Sequence, residues 1–188
     1  MELVFKSDVE LLSVLMGEET ASQLYRGSLL SLFAVGAVDR EMHPTIAVVR
    51  ELVTRMLNEE LRQRSVLIRP SVVRDYIRLL LIGKEYEVFV VLFLNSQNHL
   101  IEAEELFRGT LTQTSVYPRE VVKQALRFNA SAVIFAHNHP SGAAEPSRAD
   151  EMLTQALKQS LALVDVKVLD HFVVAGSESI SFAERGLI

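Results

Sequence analysis

Two stretches leave this chain little freedom of architecture: Glu87-Val88-Phe89-Val90-Val91-Leu92-Phe93-Leu94 and Ala132-Val133-Ile134-Phe135-Ala136. Apart from the leading glutamate they are continuously apolar, rich in β-branched and aromatic residues, and show no polar alternation. That texture belongs to strands buried on both faces, which need a layer of helix above and below. The neighbouring sequence supplies the layers. Helices are expected over Ser71–Ile82, over Glu120–Phe128 behind Pro118, and from Ser147 to about Leu161. A polar turn at Asn95-Ser96-Gln97-Asn98 leads to another strand from Leu100, and two closing strands are expected near Val164–Leu169 and Phe172–Val174. Strands alternating with helices predict an α/β domain, a sheet flanked by helices, over residues 66–188.

The chain before it reads differently. Ser7-Asp8-Val9-Glu10 has the spacing of a capping box, followed by Leu11, Leu12, Leu15 and Met16 and closed by Gly17. A longer helix from Pro44 to Arg64 carries Ile46, Val49, Leu52, Val53, Met56 and Leu57 at the spacing of one buried stripe. Residues 1–65 are therefore expected to form a small all-α subdomain, with no evident chemistry.

Composition narrows the chemistry. None of the 188 residues is cysteine, which excludes disulfides, thiolate zinc fingers, iron–sulfur clusters and a catalytic thiol. A metal could be held only by His, Asp or Glu. No apolar run approaches the roughly 20 residues that span a bilayer. The start, MELVFKSDVE, lacks the basic and apolar regions of a signal peptide, so a cytoplasmic protein with no membrane partner is expected. A net charge of −5 is unusual for a protein that holds nucleic acid through its phosphates. The one locally basic stretch is Arg62, Arg64, Arg69, Arg74 and Arg78, which reads as a solvated helix face or as a contact for nucleic acid or protein.

The chemistry lies in His137-Asn138-His139-Pro140-Ser141-Gly142-Ala143-Ala144-Glu145-Pro146-Ser147-Arg148-Ala149-Asp150. Residues two apart at a strand end point to the same side, so His137 and His139 can aim two imidazoles at one point. A folded-back loop brings Asp150, in the first turn of the next helix, towards them. Two imidazoles and a carboxylate form a three-ligand zinc set with an open fourth position, the arrangement of a catalytic site. Such a site needs a base for the water's proton and a donor for the oxyanion. Glu87, at the mouth of a buried strand where a carboxylate is costly without a task, is the expected base, and Ser147 the expected donor. Each element also has a plain structural role: His-Asn-His as a polar turn, Ser147 and Asp150 as a helix cap, Glu87 as a strand-end surface residue. The whole His-x-His-x7-Ser-x2-Asp spacing, however, should arise by chance only about once in a few thousand chains of this length.

These residues resemble the JAMM motif of the JAB/MPN metalloprotease superfamily, and the wording His-Asn-His-Pro-Ser-Gly with Pro-Ser-x-x-Asp resembles its bacterial RadC family. The resemblance extends through Glu87-Val88-Phe89, Phe107-Arg108-Gly109-Thr110, Pro118-Arg119-Glu120, Leu169-Asp170-His171 and Ser181-Phe182-Ala183-Glu184-Arg185-Gly186-Leu187. It implies a mixed sheet like that of cytidine deaminases and one zinc ion per chain on His137, His139 and Asp150. Glu87 would be the base and Ser147 would assist the oxyanion. The implied activity is hydrolysis of a peptide or isopeptide amide in a peptide or protein substrate. His171 matches the family's Asp-His and is expected to make a structural hydrogen bond, or one to a ligand, rather than to be a fourth ligand. The chain departs from the family at Ala143-Ala144, where Asp-Pro is usual; the loop length is kept. It departs again over Val38-Asp39-Arg40-Glu41-Met42-His43-Pro44-Thr45-Ile46, which has no glycine where RadC proteins resemble helix-hairpin-helix DNA binders with a Gly-rich hairpin. A DNA-repair or replication-associated factor that binds DNA rather than cleaving amides is the alternative function, and a catalytically silent scaffold a third.

Overall fold

The two apolar runs become β1 (Val88–Leu94) and β3 (Ala132–Asn138), adjacent strands in a five-stranded sheet in which every residue of both is buried. The computed structural model describes residues 3–33, 42–109 and 115–188. The sheet order is β2-β1-β3-β4-β5, where β2 is Leu100–Arg108, β4 is Lys167–Ala175 and β5 is Glu178–Ser181. All neighbours are antiparallel except β3 and β4, so the sheet is mixed, as expected.

Strand alternation sorts the core into two layers. Val90, Leu92, Leu94, Ile134, Ala136, Phe172 and Val174 face one side. They pack there with Val73, Tyr76, Ile77 and Leu81 of α5 (Pro70–Leu81) and Leu61 of α4 (Pro44–Gln63). Phe89, Val91, Phe93, Val133 and Phe135 face the other, under Val121 and Ala125 of α6 (Pro118–Arg127) and Leu157 and Leu161 of α7 (Arg148–Ala162). Pro70 and Pro118 stand in the first turns of their helices, where a missing N–H costs nothing. The chain crosses from β3 to the parallel β4 through α7, which places the end of β3 beside the start of α7.

The chain divides into two compact units, residues 1–53 and 54–188, with the division inside α4. In the first, α1 (Asp8–Met16), α2 (Glu18–Leu24) and α3 (Leu29–Phe33) gather Leu12, Ala21, Leu32 and Ile46 into a small core. The expected capping box is present, with Ser7 Oγ accepting from Glu10 N and the Glu10 carboxylate accepting from Ser7 N. Val38 to Glu41 of the hairpin region, and Thr110 of the Phe-Arg-Gly-Thr string, lie outside the described residues.

Two expectations are corrected. The stripe on α4 is not one buried face: Ile46 is buried but Leu52 and Met56 are exposed. Ile46 belongs to the core of the first unit, and Leu57 and Leu61 to that of the second, so no single core claims the stripe. Nor are there two strands at Val164–Leu169 and Phe172–Val174. A single strand, β4, runs through Leu169-Asp170-His171, and the last strand is β5. The polar pair does not break β4 because a register shift opposite Val133/Ile134 accommodates it. The Asp170 carboxylate is met there by Ser181 Oγ, Ala183 N and His171 N. Burial raises the Asp170 pKa, against the pull of these three donors.

Among the described residues no helix is long and apolar enough to cross a membrane. Leu157 is fully buried under the β1–β3 face. Leu157→Ala should cost about 2–5 kcal/mol, read as a lower urea midpoint by circular dichroism.

Candidate metal centre

The register of β1 against β3 sets the site. Phe89 pairs with His137, and the pairing runs antiparallel. Extended by two residues it sets Glu87 opposite His139, and alternation puts Glu87, Phe89, His137 and His139 on the face covered by α6 and α7. The Glu87 carboxylate is near enough to His139 to contribute to raising the imidazole pKa.

The ligand atoms converge. His137 Nε2 and His139 Nε2 are 2.9 Å apart, and the Asp150 oxygens lie 3.3 Å from the first and 3.5 Å from the second. All three side chains can offer one atom within 4.8 Å of the others. His139 Nδ1 is 2.7 Å from Ala143 O. A carbonyl only accepts, so His139 carries its proton on Nδ1 when neutral and turns a lone pair on Nε2 towards Asp150. A lone pair and a carboxylate meeting at a half-buried point call for a cation, and imidazole nitrogen with carboxylate oxygen is a donor set that suits zinc. The residues fit a metal.

The loop that returns Ala143 to His139 turns at Gly142, which sits at φ 85°, a left-handed conformation that favours glycine. Ala143 serves the site through its backbone carbonyl, so the departure from Asp-Pro at Ala143-Ala144 leaves the ligand geometry intact.

Ser147, the expected oxyanion donor, is the N-cap of α7 and bonds to Asp150. Its Oγ accepts from Asp150 N at 3.2 Å and donates to Asp150 Oδ2 at 2.6 Å, while Ser147 N donates to the same oxygen at 2.7 Å. Asp150 thus belongs both to the helix cap and to the cluster with the two histidines. Burial alone would raise the Asp150 pKa, but the Ser147 hydrogen bonds and the facing imidazoles of His137 and His139, which donate to it only when protonated on Nε2, hold it far below the usual carboxylate range. The Asp150 hydrogen bond is the main reason that the His139 pKa is raised.

Asn138, between the two histidines, points to the opposite face and is buried. Its Oδ1 accepts from Val88 N at 2.8 Å, and its Nδ2 donates to Tyr86 O at 3.0 Å and Lys84 O at 3.3 Å. These bonds grip the backbone on both sides of Glu87. His171, in β4, is fully buried, with Nε2 2.8 Å from His137 Nδ1 and Nδ1 2.6 Å from Thr154 Oγ1. It makes a hydrogen bond to His137 and is not part of the His137–His139–Asp150 cluster. Asn138 and Thr154 were not singled out by the sequence reading. Alternation along β3 carried the signal for Asn138, whereas nothing in the sequence joins Thr154 to His171 before the sheet is assembled.

The comparisons agree with this geometry. The family model for the RadC-like JAB domain matches residues 67–187. A UPF0758 protein of Nitrosomonas eutropha is 54% identical over 97% of this chain and 89% of its own length. One of Dechloromonas aromatica is 57% identical over 88% and 74%. One of Nitrosomonas europaea is 64% identical over 76% and 64%. The chain belongs to the RadC family, with a RadC-like JAB domain. The match to the N. eutropha protein spans 200 positions against 188 residues here, so that relative carries internal residues this chain lacks.

Without metal, Asp150 and His139 stabilise the fold in a defined window. The Asp150 contribution is present above about pH 4 and lost as pH falls through its depressed value. The His139 contribution is complete below about pH 6.5 and lost as pH rises through its raised value. Burial lowers the His171 pKa well below its ordinary value and acts in the opposite sense, its contribution being eroded as pH falls below about 6.5. Comparing wild type with His139→Ala isolates the His139 part. In metal-free protein this substitution should destabilise more at about pH 5.5 than at about pH 8.5, by urea denaturation; an equal loss at both would refute the His139–Asp150 coupling.

Proposed function

We propose that this chain is a zinc-dependent hydrolase of the JAMM type that cleaves an amide bond in a peptide or an isopeptide-linked protein. The carrying observation is the convergence of His137 Nε2, His139 Nε2 and the Asp150 carboxylate at the end of β3. Membership of the RadC family supports the same reading.

Zinc on three such ligands supplies a Lewis acid with an open position, which lowers the pKa of a water to about 7. The protein's own groups do the rest. His139 is oriented by Ala143 O and His137 by His171, so neither ring can rotate its Nε2 away. Glu87 takes the proton of the attacking water and delivers it to the departing amine nitrogen, which a carboxylate can do in both directions. Asn138 holds the backbone of Glu87 at a fixed reach. Ser147 Oγ keeps its hydrogen on Asp150 Oδ2. Turned from Asp150, the same hydroxyl would be a hydrogen-bond donor for the oxyanion of the tetrahedral intermediate.

The DNA-binding alternative has less support. Within the basic stretch, Arg62 pairs with Glu102 at 3.0 Å, Arg69 with Glu60 at 2.8 Å and Arg74 with Glu184 at 2.7 Å, so much of its charge is already neutralised. Counterion release on phosphate, the main source of DNA affinity, is correspondingly small.

Elemental analysis of protein prepared without chelators should give about one zinc per chain, lost on His139→Ala. A folded wild type free of metal after zinc reconstitution would sink the reading. Glu87→Gln should keep its zinc and lose cleavage of proteome-derived peptides by at least about a hundredfold; unchanged cleavage would remove Glu87 from the mechanism.

A further inference from the structure

Behind His137 runs a chain of hydrogen bonds whose proton positions are decided at its far end. Thr154 lies one turn beyond Asp150 on α7 and is fully buried. Its Oγ1 is 2.6 Å from Asp150 O and 2.6 Å from His171 Nδ1. Two oxygens approach that closely only with a hydrogen between them, and a carbonyl has none to give. The single hydroxyl hydrogen of Thr154 is therefore directed at Asp150 O. The contact with His171 must then take its hydrogen from the ring, which puts a proton on His171 Nδ1.

His171 is enclosed by the rings of Phe89, Phe135 and Phe182, at centroid distances of 5.6, 5.7 and 4.7 Å. Its two ring nitrogens meet only a hydroxyl and another imidazole, with no carboxylate to balance a charge. In that setting the ring is neutral, and with Nδ1 protonated its Nε2 carries a lone pair. At 2.8 Å from that lone pair, His137 Nδ1 must donate. His137 is left with its own lone pair on Nε2, facing Asp150 and His139.

We infer that Thr154 and His171 are positioning residues that fix the tautomer of His137, keeping its Nε2 free of hydrogen and open to a cation. The inference rests on reading His137, His139 and Asp150 as a metal site. It also gives the site a distinct electronic character. The usual partner of a ligating histidine is a carboxylate or a carbonyl, which raises the basicity of the ring. A neutral imidazole is a weaker acceptor than a carboxylate and leaves the bound cation more electron-poor.

Thr154→Val preserves shape and removes the acceptor. His171 can then carry its proton on Nε2, which drives the His137 proton to its own Nε2, into the metal position. Zinc affinity, measured by competition with a chromophoric chelator, should fall about 10–100-fold in Thr154→Val. Thr154→Ser, which restores the hydroxyl without the methyl, should bind zinc as wild type does. A purely structural role for Thr154 would not distinguish hydroxyl from methyl in this way. Nitrogen-15 NMR of the metal-free wild type should show both His171 and His137 as Nδ1–H tautomers, and needs no variant to fold. Equal zinc affinity in wild type and Thr154→Val, or a His171 protonated on Nε2 in the wild type, would overturn the inference. A wild type that takes up no zinc would instead sink the metal reading itself, and the NMR assignment would then decide the relay alone.

Discussion

The pairing of β1 with β3 in one register is the constraint on which the rest of the site depends. Side chains alternate along a strand, so a slip of one residue would turn both histidines towards α5 and separate them from Asp150 and Glu87. Hydrophobic pattern alone cannot hold this register, because both strands are apolar on both faces. Two other features do. One is side-chain size: phenylalanines at 89, 93 and 135 fill the α6–α7 layer, while mainly aliphatic residues from these strands fill the α5 layer. The other is Asn138, whose amide engages Val88 N, Tyr86 O and Lys84 O and so ties the end of β3 to the entry of β1. The residue between the two histidines thereby aligns the strands that carry His137, His139 and Glu87.

How far the sequence could be read follows from how local each signal was. The buried strands, the proline-led helices and both capping boxes announce themselves within a few residues, and they stand where the pattern put them. The clustering of His137, His139 and Asp150 was legible because strand period and helix capping are short-range rules applied to one continuous string. The errors lie where distant packing overrides local texture. The Leu169-Asp170-His171 segment resembles a break, but Ser181 and the backbone of Ala183 satisfy its aspartate and the strand continues. The α4 periodicity resembles one buried stripe, but its ends serve different cores. Thr154 and His171 are 17 residues apart and meet only through the α7 crossover, so their hydrogen bond had no local signature.

Electrostatically the site is built to receive positive charge. Asp150 accepts hydrogen bonds from Ser147 and faces both imidazoles, and Glu87 adds a second carboxylate on the same side. The absence of cysteine makes this an oxygen-and-nitrogen pocket, without the thiolates that usually close structural zinc sites. Protons and a metal ion compete for the same lone pairs, so metal uptake should release protons and strengthen with rising pH.

The double use of Ser147 and Asp150 bears on the order of events in the life of the protein. In a zinc finger the metal is part of the folding energy, and the empty chain is unfolded. Here the helix that carries Asp150 is already capped by that residue, and the imidazoles are already braced from behind by Ala143 O and His171. If the site takes a metal, as proposed, the polypeptide can finish folding before the ion arrives. Metal supply would then govern how much of the protein is competent, and would add to the stability of a fold already formed only by mass action.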